Sequence, residues 1–415
     1  MTDMWALMER LFPICRSLTG EGVRQTLDVI EEHIALERTE IPTGTQIFDW
    51  TVPREWKIRG ATLDGPEGRV CDFADSNLHV LGYSAPVDER ISLDQLRPHL
   101  FSDPERPDAI PYRTSYHNEN WGFCLPHAQL ERLPEGEYKA VIDSTLEDGR
   151  LTYAECVVPG ESSNEVLLST YVCHPSLAND NLSGIALLTA LAERIAAQPR
   201  RLTYRFLFSP ATLGPLAWLW KNETRLRIEH GLVVACVGDP GGLTYKRSRR
   251  GVAEVDRAAE HVVRARGGVV RDWSPLGSDE RQFCSPGFDL PVGVLTRTPQ
   301  DEFPGYHSSA DDLQLVRPEH LEDSLEAYLE VLDVLERNGT YVNMSPKGEP
   351  QLGKRGLYRA VGGGSFAEAP LLWVLNLADG NHDLLAIASR AGLPFSEIRA
   401  AADSLLGAGL LESRT

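Results

Sequence analysis

The chain has 415 residues, of which 42% are apolar and 24% charged, and its net charge is −19. That length suits two or three domains of ordinary globular composition. The negative charge speaks against nucleic acid or anionic membrane as a partner, and no apolar run reaches the roughly 18 residues that a bilayer span requires.

The opening MTDMWALMERLF lacks a basic segment and reads as the start of a helix rather than a signal peptide. Helical spacing covers residues 3–14 and about 20–34, with Thr19 placed to cap the second helix. Residues 40–160 change character: short alternating runs are broken by Pro and Gly, which predicts a compact β domain. Within it, YKAVIDSTLEDGRLTYAECVV predicts a hairpin turning at Glu147-Asp148-Gly149. Tyr112, Tyr116, His117, Trp121 and Phe123 are read as core of that domain; a wall over a pocket is the other reading.

From about 161 strands and helices alternate, and each strand is almost wholly apolar. EVLLSTYVC, TYRFLFS, GLVVACVGD and PVGVLTR are strands; SGIALLTALAERIAA, AEVDRAAEHVVRARG and EHLEDSLEAYLEVLDVLERN are helices. This predicts an α/β sheet covered on both faces. The N-terminal helices are assigned to it, giving an α/β domain of 1–39 and 161–345 with 40–160 inserted. A last unit, 346–415, holds three amphipathic helices in the order of a winged helix-turn-helix. Its seven basic and seven acidic residues cancel, unlike the basic footprint of a DNA reader. A structural or dimerising role is expected, and with it a homo-oligomer. Seven dispersed cysteines without a CxxC pair predict reduced thiols and a cytoplasmic protein, with Cys173 and Cys236 as small core residues.

Ligands of an open α/β sheet sit beyond the carboxyl ends of its strands. There the chain carries His174, Asp180, Asp239 and His307. Two imidazoles and two carboxylates suit zinc. Singly each has a plainer reading: Asp180 as a helix cap, and Asp239-Pro240-Gly241 as a turn. The run KRSRR at 246–250, with Arg249, and Arg297 before the His307 loop could grip a carboxylate or phosphate of a ligand; a solvated surface is the alternative.

The segment HPSLANDNLSG resembles the metal loop of M28-type zinc aminopeptidases, and GYHSSADDL resembles their final His loop. YRTSYHNENWGFC, CVGDPGGLTYKRSRRG, LGSDERQF and PGFDLPVGVLTRTP resemble more closely the bacterial DUF4910 aminopeptidase-like proteins, which carry an inserted DUF2172 β domain and a C-terminal winged helix. The resemblance spans essentially the whole chain. It implies a three-layer α/β/α phosphorylase/hydrolase-like sandwich and a zinc-dependent amide hydrolase acting on a small peptide or peptide-like metabolite. It also implies that His174 and Asp239 hold one metal, and that Asp180 bridges to a second held partly by His307. Arg249, Arg297, Asp279 and Tyr306 are the candidates for substrate contact.

Two departures stand out. Where the M28 pattern has two adjacent glutamates, a base and a metal ligand, this chain reads Pro210-Ala211-Thr212. Ser176 replaces the aspartate usual two residues after the first His. One zinc rather than two is therefore expected, with hydrolysis impaired by Ala211. Asp279 and Glu280 are the candidates for a replacement base, and a non-catalytic, metal-containing binding protein is the alternative.

Overall fold

The computed structural model describes residues 2–116, 118–357 and 368–414. His117 and Arg359, one of the basic residues counted above, lie outside them. The largest sheet has eight strands: β1 (Glu37–Pro42), β2 (Arg150–Val158), β3 (Glu165–Tyr171), β4 (Thr203–Ser209), β5 (Ile228–Val234), β6 (Thr244–Lys246), β7 (Val269–Arg271) and β8 (Val292–Thr296). Their order across the sheet is β1-β2-β4-β3-β5-β8-β6-β7. β4, β3, β5 and β8 are mutually parallel. These are the strands whose sequences are apolar almost throughout, as strands covered on both faces must be. β2 and β6 join this parallel core antiparallel to it.

Strand order, not direction, reverses at β3, which has parallel β4 on one side and parallel β5 on the other, leaving a crevice at its carboxyl end. The helix Gly184–Ala196 packs against β2, β3, β4 and β5. Its sequence is apolar nearly all round because nearly all of it is buried. The fold is the expected three-layer α/β/α sandwich with a C-terminal winged helix.

The limits of the insertion differ from expectation. β1 and β2 belong to the large sheet, so the inserted part is 43–149 rather than 40–160. Nor do the strands flanking Glu147-Asp148-Gly149 form a hairpin. Glu137–Glu147 pairs with Glu55–Gly65 and Val87–Ser92 in a separate four-stranded sheet, whereas β2 pairs with β1 and β4. The chain passes from one sheet to the other at Gly149, whose N–H donates to Thr43 Oγ1 at 3.0 Å. A Cβ at Gly149 would lie 2.4 Å from Glu55 Cβ. Alternation marks two strands correctly but says nothing of their partners.

Thr19 does not cap the second helix, which spans Glu21–Glu31 with Gly20 at its cap. The backbone there passes so close to the insertion that a Cβ on Gly20 would lie 2.4 Å from the Trp56 carbonyl oxygen. Thr19 Oγ1 instead meets Tyr83 Oη and accepts from Trp56 N–H at 3.3 Å, tying the insertion to the helices.

Residues 254–267 and 327–415 form a second compact unit. Three helices, Ala369–Leu377, Leu384–Ala391 and Phe395–Gly407, accompany a three-stranded sheet ordered Asp379–Asp383, Thr340–Asn343, Leu411–Ser413. The winged helix thus begins before 346, because Thr340–Asn343 is the central strand of its sheet. Arg257 and the Ala386 N–H both donate to Asp383, each at 2.7 Å, fixing the start of the second of these helices. All seven cysteines are free thiols, and Cys173 and Cys236 are buried. Among the described residues no helix is long and apolar enough to cross a membrane.

Candidate metal centre

Three of the four expected ligands meet at the crevice. His174 follows β3, Asp180 lies in the loop before the buried helix, and His307 lies in the loop after β8. One ligand atom from each falls within 4.8 Å of the others. His307 Nε2 stands 3.1 Å from Asp180 Oδ2, and His174 Nδ1 stands 3.9 Å from Asp180 Oδ1. Asp180 is fully buried.

The polar atoms that face one another are uncommitted. His174 Nδ1, Asp180 Oδ2 and His307 Nε2 are buried and find no hydrogen-bond partner among the described residues. Buried polar atoms are nearly always paired, so three orphans in one cluster need an explanation. Two imidazole nitrogens and a carboxylate oxygen are the donor set zinc prefers. Burial pushes the His174 imidazole down to about 4, so near neutral pH it offers a lone pair. The residues fit a zinc ion.

Neighbouring groups hold this geometry. Arg16, itself buried, donates from Nε to the His174 carbonyl at 2.8 Å. Tyr171 at the end of β3 donates its hydroxyl to Asp180 Oδ1 and accepts from Gln300 Nε2 at 2.8 Å. Asp311 accepts from the N–H groups of Asn179 at 2.6 Å and Asp180 at 2.9 Å. Such supporting contacts orient ligands. Reading single residues missed Arg16, Tyr171, Gln300 and Asp311. Only Asp311 left a trace, as the acidic pair ending GYHSSADDL.

The insertion reaches the same place. Tyr112 N–H donates to the His307 carbonyl at 2.8 Å, and Ser309 N–H donates to the Ile110 carbonyl at 2.8 Å. This short pairing supports His307 in a left-handed conformation, φ 52°. The Tyr112 ring stands edge-on to both imidazoles, with centroids 5.2 Å from each. Tyr112 and Phe123 are buried, and Tyr116 Oη lies 3.0 Å from Tyr112 Oη, so core and wall are here one structure. Tyr306 stacks on His307 with centroids 4.0 Å apart.

Asp239, expected to be a ligand, is not brought into the cluster. Its oxygens accept from Asn179 Nδ2 at 3.1 Å, Gly241 N–H at 2.8 Å, Thr298 N–H at 3.2 Å and Thr298 Oγ1 at 2.5 Å. Four donors saturate the carboxylate as a loop clamp. Arg297 is likewise structural: it is buried, donating to the Gly241 carbonyl at 2.8 Å and to Asp323 at 2.7 Å. Arg249 pairs with Asp289 at 2.9 Å, and the rest of KRSRR is paired too: Lys246 with Glu280, Arg247 with Asp272 and Arg250 with Asp289. The basic run is a set of ion pairs rather than an open anion grip.

The loop after β4 carries the substituted positions. Ala211 N–H donates to Cys173 Sγ at 3.2 Å, and Thr212 N–H donates to Asp279 Oδ1 at 2.7 Å. Nearby, a cavity of about 300 Å³ is lined by Lys246, Leu276, Gly277, Ser278, Val294 and Gln300, among others. Gln300 links it to Asp180 through the Tyr171 hydroxyl.

Residues 5–338 match the family described as a domain of unknown function, DUF4910, and residues 339–413 match a winged helix-turn-helix family. A Clostridium acetobutylicum relative, described as a candidate polysaccharide biosynthesis protein with an aminopeptidase-like domain, is 50% identical and covers 99% of this chain and 96% of its own. A crystal structure of a candidate peptidase from the same organism has a TM-score of 0.94 at 48% identity, covering 99% of this chain and 96% of that one. A Bacillus subtilis zinc aminopeptidase shares the fold at a TM-score of 0.56 and 11% identity, covering 79% and 93%. The chain belongs to the DUF4910 family, with a winged helix-turn-helix at its C-terminal end.

Proposed function

We propose that the chain is a zinc-dependent amide hydrolase of aminopeptidase type, acting on a small peptide or peptide-like metabolite, and slow because its base position is Ala211. The observation that carries this reading is the cluster of three orphaned ligand atoms on His174, Asp180 and His307. Zinc held there would supply a Lewis acid for the amide carbonyl. The chain's own residues orient the site: Arg16 fixes His174, Asp311 fixes the Asp180 loop, and the 110–112 segment fixes His307. The 110–112 segment over the imidazoles also supports a preference for short ligands.

The aminopeptidase-like description of the Clostridium acetobutylicum relative supports the reaction class, and its link to polysaccharide biosynthesis makes amide-bearing sugars worth including among substrates. A second reading, a non-catalytic protein that binds metal and ligand, is favoured by the missing carboxylates at Ala211 and Thr212. One zinc, a cytoplasmic location, self-association through the winged helix, and no nucleic-acid or membrane partner complete the proposal.

The deciding experiment is zinc quantification on the purified chain, paired with turnover of aminoacyl amides and dipeptides by the chain and by Ala211→Glu. One bound zinc and turnover in Ala211→Glu are expected. Absence of zinc after growth in its presence would overturn the reading, and zinc-loaded but inert Ala211→Glu would favour the binding protein.

A further inference from the structure

We infer that Asp279 handles the proton in this site, taking from the attacking water the proton that a carboxylate at position 211 would otherwise take; this rests on the hydrolase reading above. Asp279 is 4% exposed, and its Oδ1 accepts from Thr212 N–H, the residue directly after Ala211. Its Oδ2 is buried without a hydrogen-bond partner among the described residues. A carboxylate with one oxygen anchored and the other free can accept a proton without losing its place.

Its neighbours connect it to the site. The thiol of Cys173, which directly precedes His174, accepts from Ala211 N–H, and Asp279 accepts from the next N–H along, that of Thr212. The preceding Ser278 lines the 300 Å³ cavity that Gln300 and Tyr171 connect to Asp180. Burial pushes the Asp279 carboxyl up to about 7; the Thr212 N–H opposes the rise and Glu280 adds to it. That is the range in which one group can both take and return a proton near neutral pH. Glu280 is set apart by the Lys246 ammonium, which pairs with its Oε1 and holds it as a carboxylate partner of that cation.

The step balances without a further reactant. Water's oxygen bonds to the amide carbon while one water proton passes to Asp279. The carbon–nitrogen bond then breaks as that proton passes to the departing nitrogen, leaving a carboxylic acid and an amine.

The experiment compares the chain with D279N, A211E and the A211E/D279N double variant, with zinc content measured for each and aminoacyl anilide turnover followed against pH. Asn keeps the acceptor for Thr212 N–H, so D279N retains the loop contact. D279N is expected to lower turnover at least about a hundredfold with zinc content unchanged, and A211E to restore it. The acid limb of the pH profile, near 7, is expected to disappear in D279N. In the zinc-free chain, an infrared band of a protonated carboxyl should titrate near 7 and be missing from D279N. Undiminished turnover in D279N overturns this assignment and leaves the hydrolase reading standing, as does an inert parent chain beside an active A211E. Four zinc-loaded but inert chains overturn the hydrolase reading and this inference together.

Discussion

Asp180 and Asp239 are both buried aspartates at the carboxyl edge of the same sheet, yet their surroundings differ. Asp239 accepts from four donors and closes a loop between β5 and the segment after β8. Asp180 has one hydroxyl donor, a backbone N–H held by Asp311, and an Oδ2 with nothing but imidazole nitrogen before it. Residue type and burial do not distinguish a ligand from a structural carboxylate. Uncommitted acceptor capacity does, because an unpaired buried oxygen is costly unless something binds it.

The sharpest way to break this contrast is to remove each carboxylate in turn. Asp180→Asn should weaken zinc binding by far more than about a hundredfold by isothermal titration, while Asp239→Asn should weaken it only about tenfold, the low end of what supporting contacts cost. Equal losses would make Asp239 a ligand after all.

A third buried carboxylate, Asp279, extends the comparison to stability. Its folded-state pKa of about 7 lies above the ordinary 3.8, so the folded chain keeps a proton that the unfolded chain releases between those values. Stability therefore falls as pH rises through that window. Urea unfolding should show D279N gaining on the parent chain by on the order of 4 kcal/mol between pH 4 and pH 8. A pH-independent difference would place the proton elsewhere.

Restoring a carboxylate tests the same logic in reverse. Ala211→Glu should raise amide turnover at least about a hundredfold, equivalent to about 2.7 kcal/mol of barrier. Ligand affinity should barely move, since the new group acts mainly in the transition state. The smallest effect is expected at Tyr112→Phe. This loses only the hydroxyl contact to Tyr116, so thermal unfolding should register about 1 kcal/mol with zinc content unchanged. A loss of zinc in that variant would mean that the insertion holds His307 through the hydroxyl rather than through its backbone.

Much of this was legible from residue order. The apolar runs of β3, β4, β5 and β8 announced a covered sheet, since a strand buried on both faces needs no polar alternation. His174, Asp180 and His307 were readable because a strand's carboxyl end is where such a sheet leaves a crevice. The alternating run around Glu147-Asp148-Gly149 showed two strands but not that they serve different sheets, because pairing depends on Glu55–Gly65 and β4, both far away in sequence. Arg16 was invisible for the same reason: its contact with the His174 carbonyl spans 158 residues.

The amino-acid order by itself determined the parallel α/β core, the C-terminal winged helix and the edge where metal-competent side chains collect, because periodicity and strand-end position are local properties. Only the tertiary structure decided which carboxylate stays uncommitted. Asp239 is closed by Thr298 and Asn179, KRSRR is closed by partners at 272, 280 and 289, and Asp180 Oδ2 is left open between two imidazoles. Hydrogen-bond saturation is set by which distant donors arrive, and chain proximity does not record that.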